Sequence, residues 1–253
     1  MTKMLSLKEF KTGLEYHDTL NPVLWNGDQL KPEVLLKLTM IADNFIQFVG
    51  LDPKLIHDIV ITGSNCNYNY SPLSDIDLHV IAQYQPNHMN GTGISVQDAF
   101  NAFKTLYNEE RHITIYGYPL ETYVQPTSEH FTSNAGVYSL KRHVWIQRPV
   151  KQHVDLDDRE IQVKARAVIH DINQIVHGKM ASSLAIPRIQ AVKAKIKQLR
   201  AAGLQKGGEF GIENLAFKAI RNAGYLDKLS KYANVLKDAR LSLSEDQNDD
   251  LRT

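Results

Sequence analysis

The chain has 253 residues and a single cysteine, Cys66, which excludes an internal disulfide and any zinc site built on cysteines. No apolar run approaches the roughly 18 residues that a membrane-crossing helix requires, and Met1-Thr2-Lys3-Met4 leads into no signal-like apolar segment. A cytoplasmic location is the expectation, and there is no internal repeat. Excess charge is also lacking, with a net of +1, while a hydrophobic content of 43% is ordinary for a globular protein. That length allows one large domain or two modest ones.

The near-neutral total conceals an asymmetry. Residues 160 to 237 hold 14 Lys/Arg against 5 Asp/Glu, a local net of +9, so the remainder carries −8. A basic half attracts polyanions, nucleic acid among them, and Lys193, Lys195, Lys197 and Arg200 are clustered within it. Solvated helix faces account for the same composition. Aromatics are sparse there, and Phe210, Phe217, Tyr225 and Tyr232 have the helical spacing of core residues. Ten histidines suggest metal binding, yet His170 and His177, seven apart, have no third ligand at a helical spacing. Arg166 and His170 resemble the pair of the HEPN ribonucleases, but their spacing is shorter than that family's.

Two aspartates at alternate positions carry the sharpest signal, in Asp75-Ile76-Asp77-Leu78-His79-Val80-Ile81. Side chains alternate faces along a strand, so Asp75, Asp77 and His79 are expected on one face and Ile76, Leu78 and Val80 in a core. Two carboxylates in one small space repel unless a cation lies between them, and oxygen ligands suit a hard divalent ion such as Mg²⁺. The alternative is a solvated strand edge with two incidental acids. The segment Ile56 to Thr62, β-branched and stopped by Gly63, reads as a buried strand. Gly63 permits close backbone approach, and Ser64 offers a hydroxyl and an amide to an anion. The ten residues 65 to 74 suffice for a helical turn and a returning loop. The Gly-Ser turn and the Asp pair are then expected to face one cleft.

Gly63-Ser64, that spacer, and Ser74-Asp75-Ile76-Asp77-Leu78 together resemble the signature of the DNA polymerase β-like nucleotidyltransferase superfamily. The resemblance covers roughly residues 30 to 126. It implies an α+β fold with a mixed sheet, an NTP donor such as ATP, Mg²⁺ or Mn²⁺ as cofactor, and a third carboxylate from a later strand. Arg111 to Tyr116 and Leu120 to Gln125 read as two short strands around Gly117-Tyr118-Pro119, which makes Glu121 the candidate. Glu109 and Glu110, at the polar end of a helix, are the alternatives. The resemblance thus implies catalytic and metal-binding roles for Asp75, Asp77 and Glu121, and nucleotide binding by Gly63, Ser64 and Ser74. Many members carry an Arg-Gly-Thr-like element in the spacer, where this chain has Asn65-Cys66-Asn67-Tyr68-Asn69-Tyr70-Ser71-Pro72. That departure leaves the nucleotide and the acceptor open, with RNA or tRNA favoured through the basic helical half. The Asn/Tyr-rich spacer, Gly208-Glu209-Phe210 and Glu213 to Lys218 are similar to nucleotidyltransferase-like proteins of tailed bacteriophages, which would place the chain in a host cytoplasm. Two rival functions stay open. A nucleotide-sugar glycosyltransferase also uses Asp-x-Asp but does not account for Gly63-Ser64 or Glu121, and an inactive nucleotidyltransferase-like protein would bind nucleic acid through its basic helices.

Along the chain, Val34, Leu38, Ile41, Phe45 and Phe48 predict a helix over 32–49 that stops at Gly50 and Pro53. A second amphipathic helix is predicted over 96–107, after the polar loop 85–92. Residues 1–126 are expected to form the catalytic domain, 127–157 a connection with a short segment near His143 to Ile146, and 158–241 a helical domain. Its helices are predicted near 158–177, 187–202 and 210–237, the last two separated by Gly203, Gly207 and Gly208. The polar tail from Ser242 is expected to be disordered. Cys66 is expected to be a small packing residue.

Overall fold

The computed structural model describes residues 16–86, 93–131, 135–151, 158–178 and 180–242. They form two compact units, one holding the described residues up to Lys151 and the other those from Asp158 onward. The tail beyond Ser242 and residues 87–92 of the polar loop lie outside the described residues.

The first unit is α+β, the class expected. Its elements are β1 (Trp25–Asn26), β2 (Gln29–Leu30), α1 (Pro32–Val49), β3 (Ile56–Thr62), β4 (Ile76–Ala82), α2 (Val96–Glu110), β5 (Thr114–Ile115), β6 (Tyr118–Pro126), β7 (Val137–Ser139) and β8 (Val144–Gln147). Six strands form one mixed sheet in the order β5-β6-β4-β3-β7-β8, in which only β4 and β6 are parallel. That pair is joined through α2, the crossover a parallel pair requires. Helix α1 starts with Pro32 in its first turn and ends at Gly50, whose φ of 65° is left-handed. It buries Val34, Leu38, Ala42, Phe45, Ile46 and Val49. These pack with Ile59, Ile61, Ile76, Leu78, Val80 and Val124 of the sheet into the main core. Burying each of the Val, Leu, Ile and Phe side chains contributes about 1.5–3 kcal/mol. A small cluster of Val60, Ile81 and Val137, with Phe131 against it, is separate from that core.

Helix α2 covers the outer edge of β6 with side chains. Asn108 Oδ1 accepts from Thr122 N at 3.3 Å and Asn108 Nδ2 donates to Thr122 O at 3.5 Å, while Gln97 Nε2 donates to Val124 O at 3.4 Å. Backbone groups that would otherwise form an unpaired edge are thereby occupied.

The stretch expected to be a connection contributes two strands, because β7 pairs with β3 and β8 with β7. Three residues of β7 are too few for a periodicity, and the attachment depends on partners distant in sequence. Asp58 is buried in β3, its Oδ1 accepting from Ser139 Oγ and Ile59 N at 2.8 Å each. Its Oδ2 accepts from Arg142 Nη2 at 2.7 Å and Nε at 3.2 Å. Trp145 stacks on Trp25 at 4.7 Å, and Tyr138 meets both rings edge-on.

The second unit is helical, with α3 (Asp158–His177), α4 (Ser182–Gly207), α5 (Ile212–Asn222) and α6 (Tyr225–Leu241). Three expectations are corrected. Helix α4 begins five residues before Pro187, since a proline removes only one intrahelical donor and Ala185 and Ile189 bury the surrounding turns. The stretch 210–237 is two helices, broken at Gly224 with φ 75°. Gly203 lies inside α4 as a contact: a Cβ there would fall 2.2 Å from Asn214 N, so the backbones of α4 and α5 touch. Among the described residues, no helix is long and apolar enough to cross a membrane.

Asp58→Ala should cost the first unit about 3 kcal/mol, because it leaves Ser139, Ile59 N and Arg142 without their acceptor. Both tryptophans, Trp25 and Trp145, belong to this unit. Their fluorescence in urea therefore reads its unfolding alone, and an unchanged midpoint would show that the carboxylate does not hold β7 to β3.

Candidate metal centre and active site

Strand β3 ends at Gly63, whose φ of 83° and ψ of −164° turn the chain into a single 3₁₀ turn, Ser64–Cys66. The chain returns antiparallel as β4, with Thr62 opposite Asp77. Ile76, Leu78 and Val80 are buried, while Asp75, Asp77 and His79 are half-buried, as strand alternation predicts. Strand β6 runs parallel to β4 in a register that sets Glu121 beside Asp77. Adjacent strands lie about 4.8 Å apart, so the carboxylates meet. Ligand oxygens from Asp75, Asp77 and Glu121 all lie within 4.8 Å of one another. An octahedral cation bound at about 2.0–2.1 Å separates opposite oxygens by about 4 Å. The all-oxygen set therefore fits Mg²⁺ or Mn²⁺ after a small closure. Glu109 and Glu110, exposed at the end of α2, are not members of this cluster.

The surrounding residues fix that geometry. A Cβ on Gly63 would lie 1.9 Å from Asp77 Oδ2, so the Asp77 carboxylate rests on bare backbone. Ser64 Oγ donates to Ser74 Oγ at 2.8 Å, and Ser74, itself buried, also accepts from Ser71 N at 2.9 Å. Ser74 thus holds the Ser64 hydroxyl and folds the loop 71–74. Asn65 is buried, donates through Nδ2 to the Asp75 carbonyl at 2.8 Å, accepts from Asn21 Nδ2 on Oδ1, and accepts from Trp25 Nε1 on its own carbonyl. It ties the start of β4 to the N-terminal hairpin. Cys66 is fully buried, and burial together with the Asp77 charge pushes its thiol pKa well up. It is a packing residue, inert as a nucleophile.

Beyond the carboxylates, a cavity of about 220 Å³ is lined by Asp77, His79, Lys104, Glu121, Thr122 and Tyr123. Lys104 Nζ lies 3.8 Å from Glu121 Oε2 and 5.2 Å from the centre of the Tyr123 ring. His79 Nδ1 is 2.7 Å from Gln125 Oε1, and the Gln125 amide nitrogen donates to Glu129 O at 3.1 Å. That second bond orients the amide, so Nδ1 carries the proton. Burial first, and the Lys104 charge after it, hold the His79 pKa below its ordinary value. His79 is a wall of the cavity, outside the carboxylate cluster.

Asn65 on Asp75 and Lys104 and Tyr123 in the cavity wall are neighbours of the carboxylates that the sequence expectations do not include. Lys104 could have been found from the polar stripe Gln97, Lys104, Asn108 on α2, which has helical spacing and faces β6. No local signal marks Asn65, whose partners lie in the hairpin and at Asp75.

No family model and no curated protein matches this chain. Among solved structures, the chain aligns with a STING-associated CdnE c-di-GMP synthase from Capnocytophaga granulosa, at 11% identity over 86% of this chain and 89% of that one, with a TM-score of 0.22. A superposition that loose carries no weight for fold or function.

Two measurements test the centre without reference to activity. Gly63→Ala should weaken Mn²⁺ binding, read by titration calorimetry, about 10- to 100-fold, the range for residues that orient metal ligands; unchanged affinity would mean that the Gly63 contact does not set the Asp77 position. In thermal melts, Mn²⁺ should raise the midpoint of the wild type but not of Asp77→Asn. The metal-free variant should melt no lower than wild type, since one of three repelling charges is gone. An equal Mn²⁺ shift in both proteins would remove Asp77 from the metal site.

Proposed function

We propose that this protein is a metal-dependent nucleotidyltransferase that moves a nucleoside monophosphate from an NTP to a hydroxyl acceptor. The observation that carries the reading is the convergence of Asp75, Asp77 and Glu121 within 4.8 Å beside a glycine whose missing side chain makes room for one of them. Asp75 and Asp77 would hold the cation and with it the triphosphate. Glu121, the most exposed of the three, faces the cavity from which an acceptor hydroxyl would approach and completes the set that activates it. A divalent ion bound there would supply Lewis-acid stabilisation of charge on the attacking and leaving oxygens.

The remaining work falls to the chain. Gly63 and Ser64 bring backbone to the phosphates without steric cost, and Ser74 keeps the Ser64 hydroxyl in place. Lys104, above Tyr123, offers a positive charge to an anionic substrate. Positioning dominates such phosphoryl chemistry: the acceptor hydroxyl gives up its proton to water, its oxygen forms a bond to the α-phosphorus, the bond from that phosphorus to the bridging oxygen breaks, and pyrophosphate leaves.

The test is incubation of the full chain with each α-labelled NTP, Mg²⁺ or Mn²⁺, and in turn total RNA, total protein and a small-molecule extract. Label should transfer from at least one NTP with release of pyrophosphate. Asp77→Asn should reduce the rate by two to three orders of magnitude, because the metal contributes several kcal/mol and each 1.36 kcal/mol is about tenfold. Transfer at the wild-type rate in Asp77→Asn, or no transfer to any acceptor, would overturn the reading. Transfer of sugar from a nucleotide sugar instead would assign the centre to glycosyl chemistry.

A further inference from the structure

Helix α4 carries its positive charge on two flanks of its buried stripe, and the flanks differ. Lys195 pairs with Asp171 at 2.7 Å, and Lys206 with Glu213 at 3.6 Å. On α3, Lys164 reaches Glu213 at 3.3 Å and Glu160 at 3.5 Å. Three of the five acids of residues 160–237 are thus engaged with lysines on this side. The other flank presents Lys193, Lys197 and Arg200, all exposed. Their spacing of four and three residues sets them in one stripe that spans about 10 Å at roughly 1.5 Å per residue. No salt bridge to any of the three is found among the described residues. At the end of the stripe the Arg200 guanidinium lies 4.9 Å from the centre of the half-buried Phe217 ring. Exposed Arg221 follows one helical turn along α5.

We infer that this flank binds a single-stranded polynucleotide, with Lys193, Lys197 and Arg200 on successive phosphates and Phe217 with Arg200 offering a stacking platform to a base. A row of cations tracks a phosphate backbone, and an adjacent ring or guanidinium plane stacks bases without regard to sequence. A surface that served solubility alone would intersperse both signs, as the opposite flank does. The inference supplies an acceptor class for the proposed transferase, and its test reads binding alone, in EDTA, so that a failure here leaves the carboxylate chemistry untouched.

Fluorescence anisotropy of the full chain with labelled ten-nucleotide RNA and DNA, across a salt series, is the experiment. With three phosphates contacted, log K should fall against log salt with a slope of about −2, at roughly 0.7 per phosphate for single strands. Lys193→Gln/Lys197→Gln should lower that slope by about 1.4. Lys231→Gln/Lys237→Gln, which removes the same charge from exposed positions of α6, should leave it unchanged. Phe217→Leu, which keeps an apolar group in the packing, should weaken binding about tenfold, with no effect on binding of heparin. Tighter binding of RNA than DNA would identify RNA as the strand, and equal binding a strand of either sugar; both support the inference. No binding at low salt, a slope near zero, or equal losses in the α4 and α6 variants would overturn it.

Discussion

Three carboxylates with oxygens within 4.8 Å of one another oppose the fold that brings them together. Each pair at that distance repels by about 1 kcal/mol in water and by about 3–4 kcal/mol at an effective dielectric constant of 20. Backbone pairing overcomes this repulsion. Asp77 is fixed by β3 on one side and by the parallel β6 on the other, and Asp75 by the buried amide of Asn65 on its carbonyl. The backbones that carry the acids cannot separate without breaking strand pairs whose other faces carry Ile76, Leu78 and Val80 of the core. Hydrophobic burial on one side of the sheet thus holds the acids close on the other, where Lys104 offsets part of the Glu121 charge and a bound divalent cation would offset the rest.

Much of this was legible from residues. Alternation of Asp75, Asp77 and His79 with Ile76, Leu78 and Val80 assigned both faces of β4, and the helical stripe from Val34 to Phe48 gave α1 with its Gly50 stop. Glu121 came from the resemblance, which implies a third carboxylate on a later strand, and the parallel register of β4 and β6 sets it beside Asp77. The features that escaped depend on partners remote in sequence. Strand β7 is three residues attached through Ser139 and Arg142 to Asp58. Gly203, which resembles a helix stop, is the point where Asn214 presses on α4. Gly224 interrupts a stripe otherwise regular enough to read as one helix.

The two units place their charges differently. In the first, a buried acid, Asp58, is neutralised by an arginine whose side chain is 58% exposed, so the ionic group lies at the sheet margin and specifies which hairpin joins it. In the second, the pairs Lys195–Asp171 and Lys164–Glu160 are surface contacts, individually worth about 0–1 kcal/mol, and only Glu213 is largely covered. Apolar stripes such as Ile161, Ile169 and Ile172 of α3 supply its cohesion. Its exposed charges are therefore free to vary without loss of the fold, whereas Asp58 is not.

The amide contacts of α2 along β6 have a mechanical meaning. Asn108 on Thr122 and Gln97 on Val124 mark two points on the strand, and Lys104 lies between them in the helix. The helix is thereby held like a ruler against the strand, with the lysine graduation opposite Glu121 and Tyr123. A slip of one turn, about 5.4 Å, would leave both amides without partners and carry the ammonium group away from the carboxylate. The same two side chains that stop the sheet from growing also set the alignment of the cavity's cation.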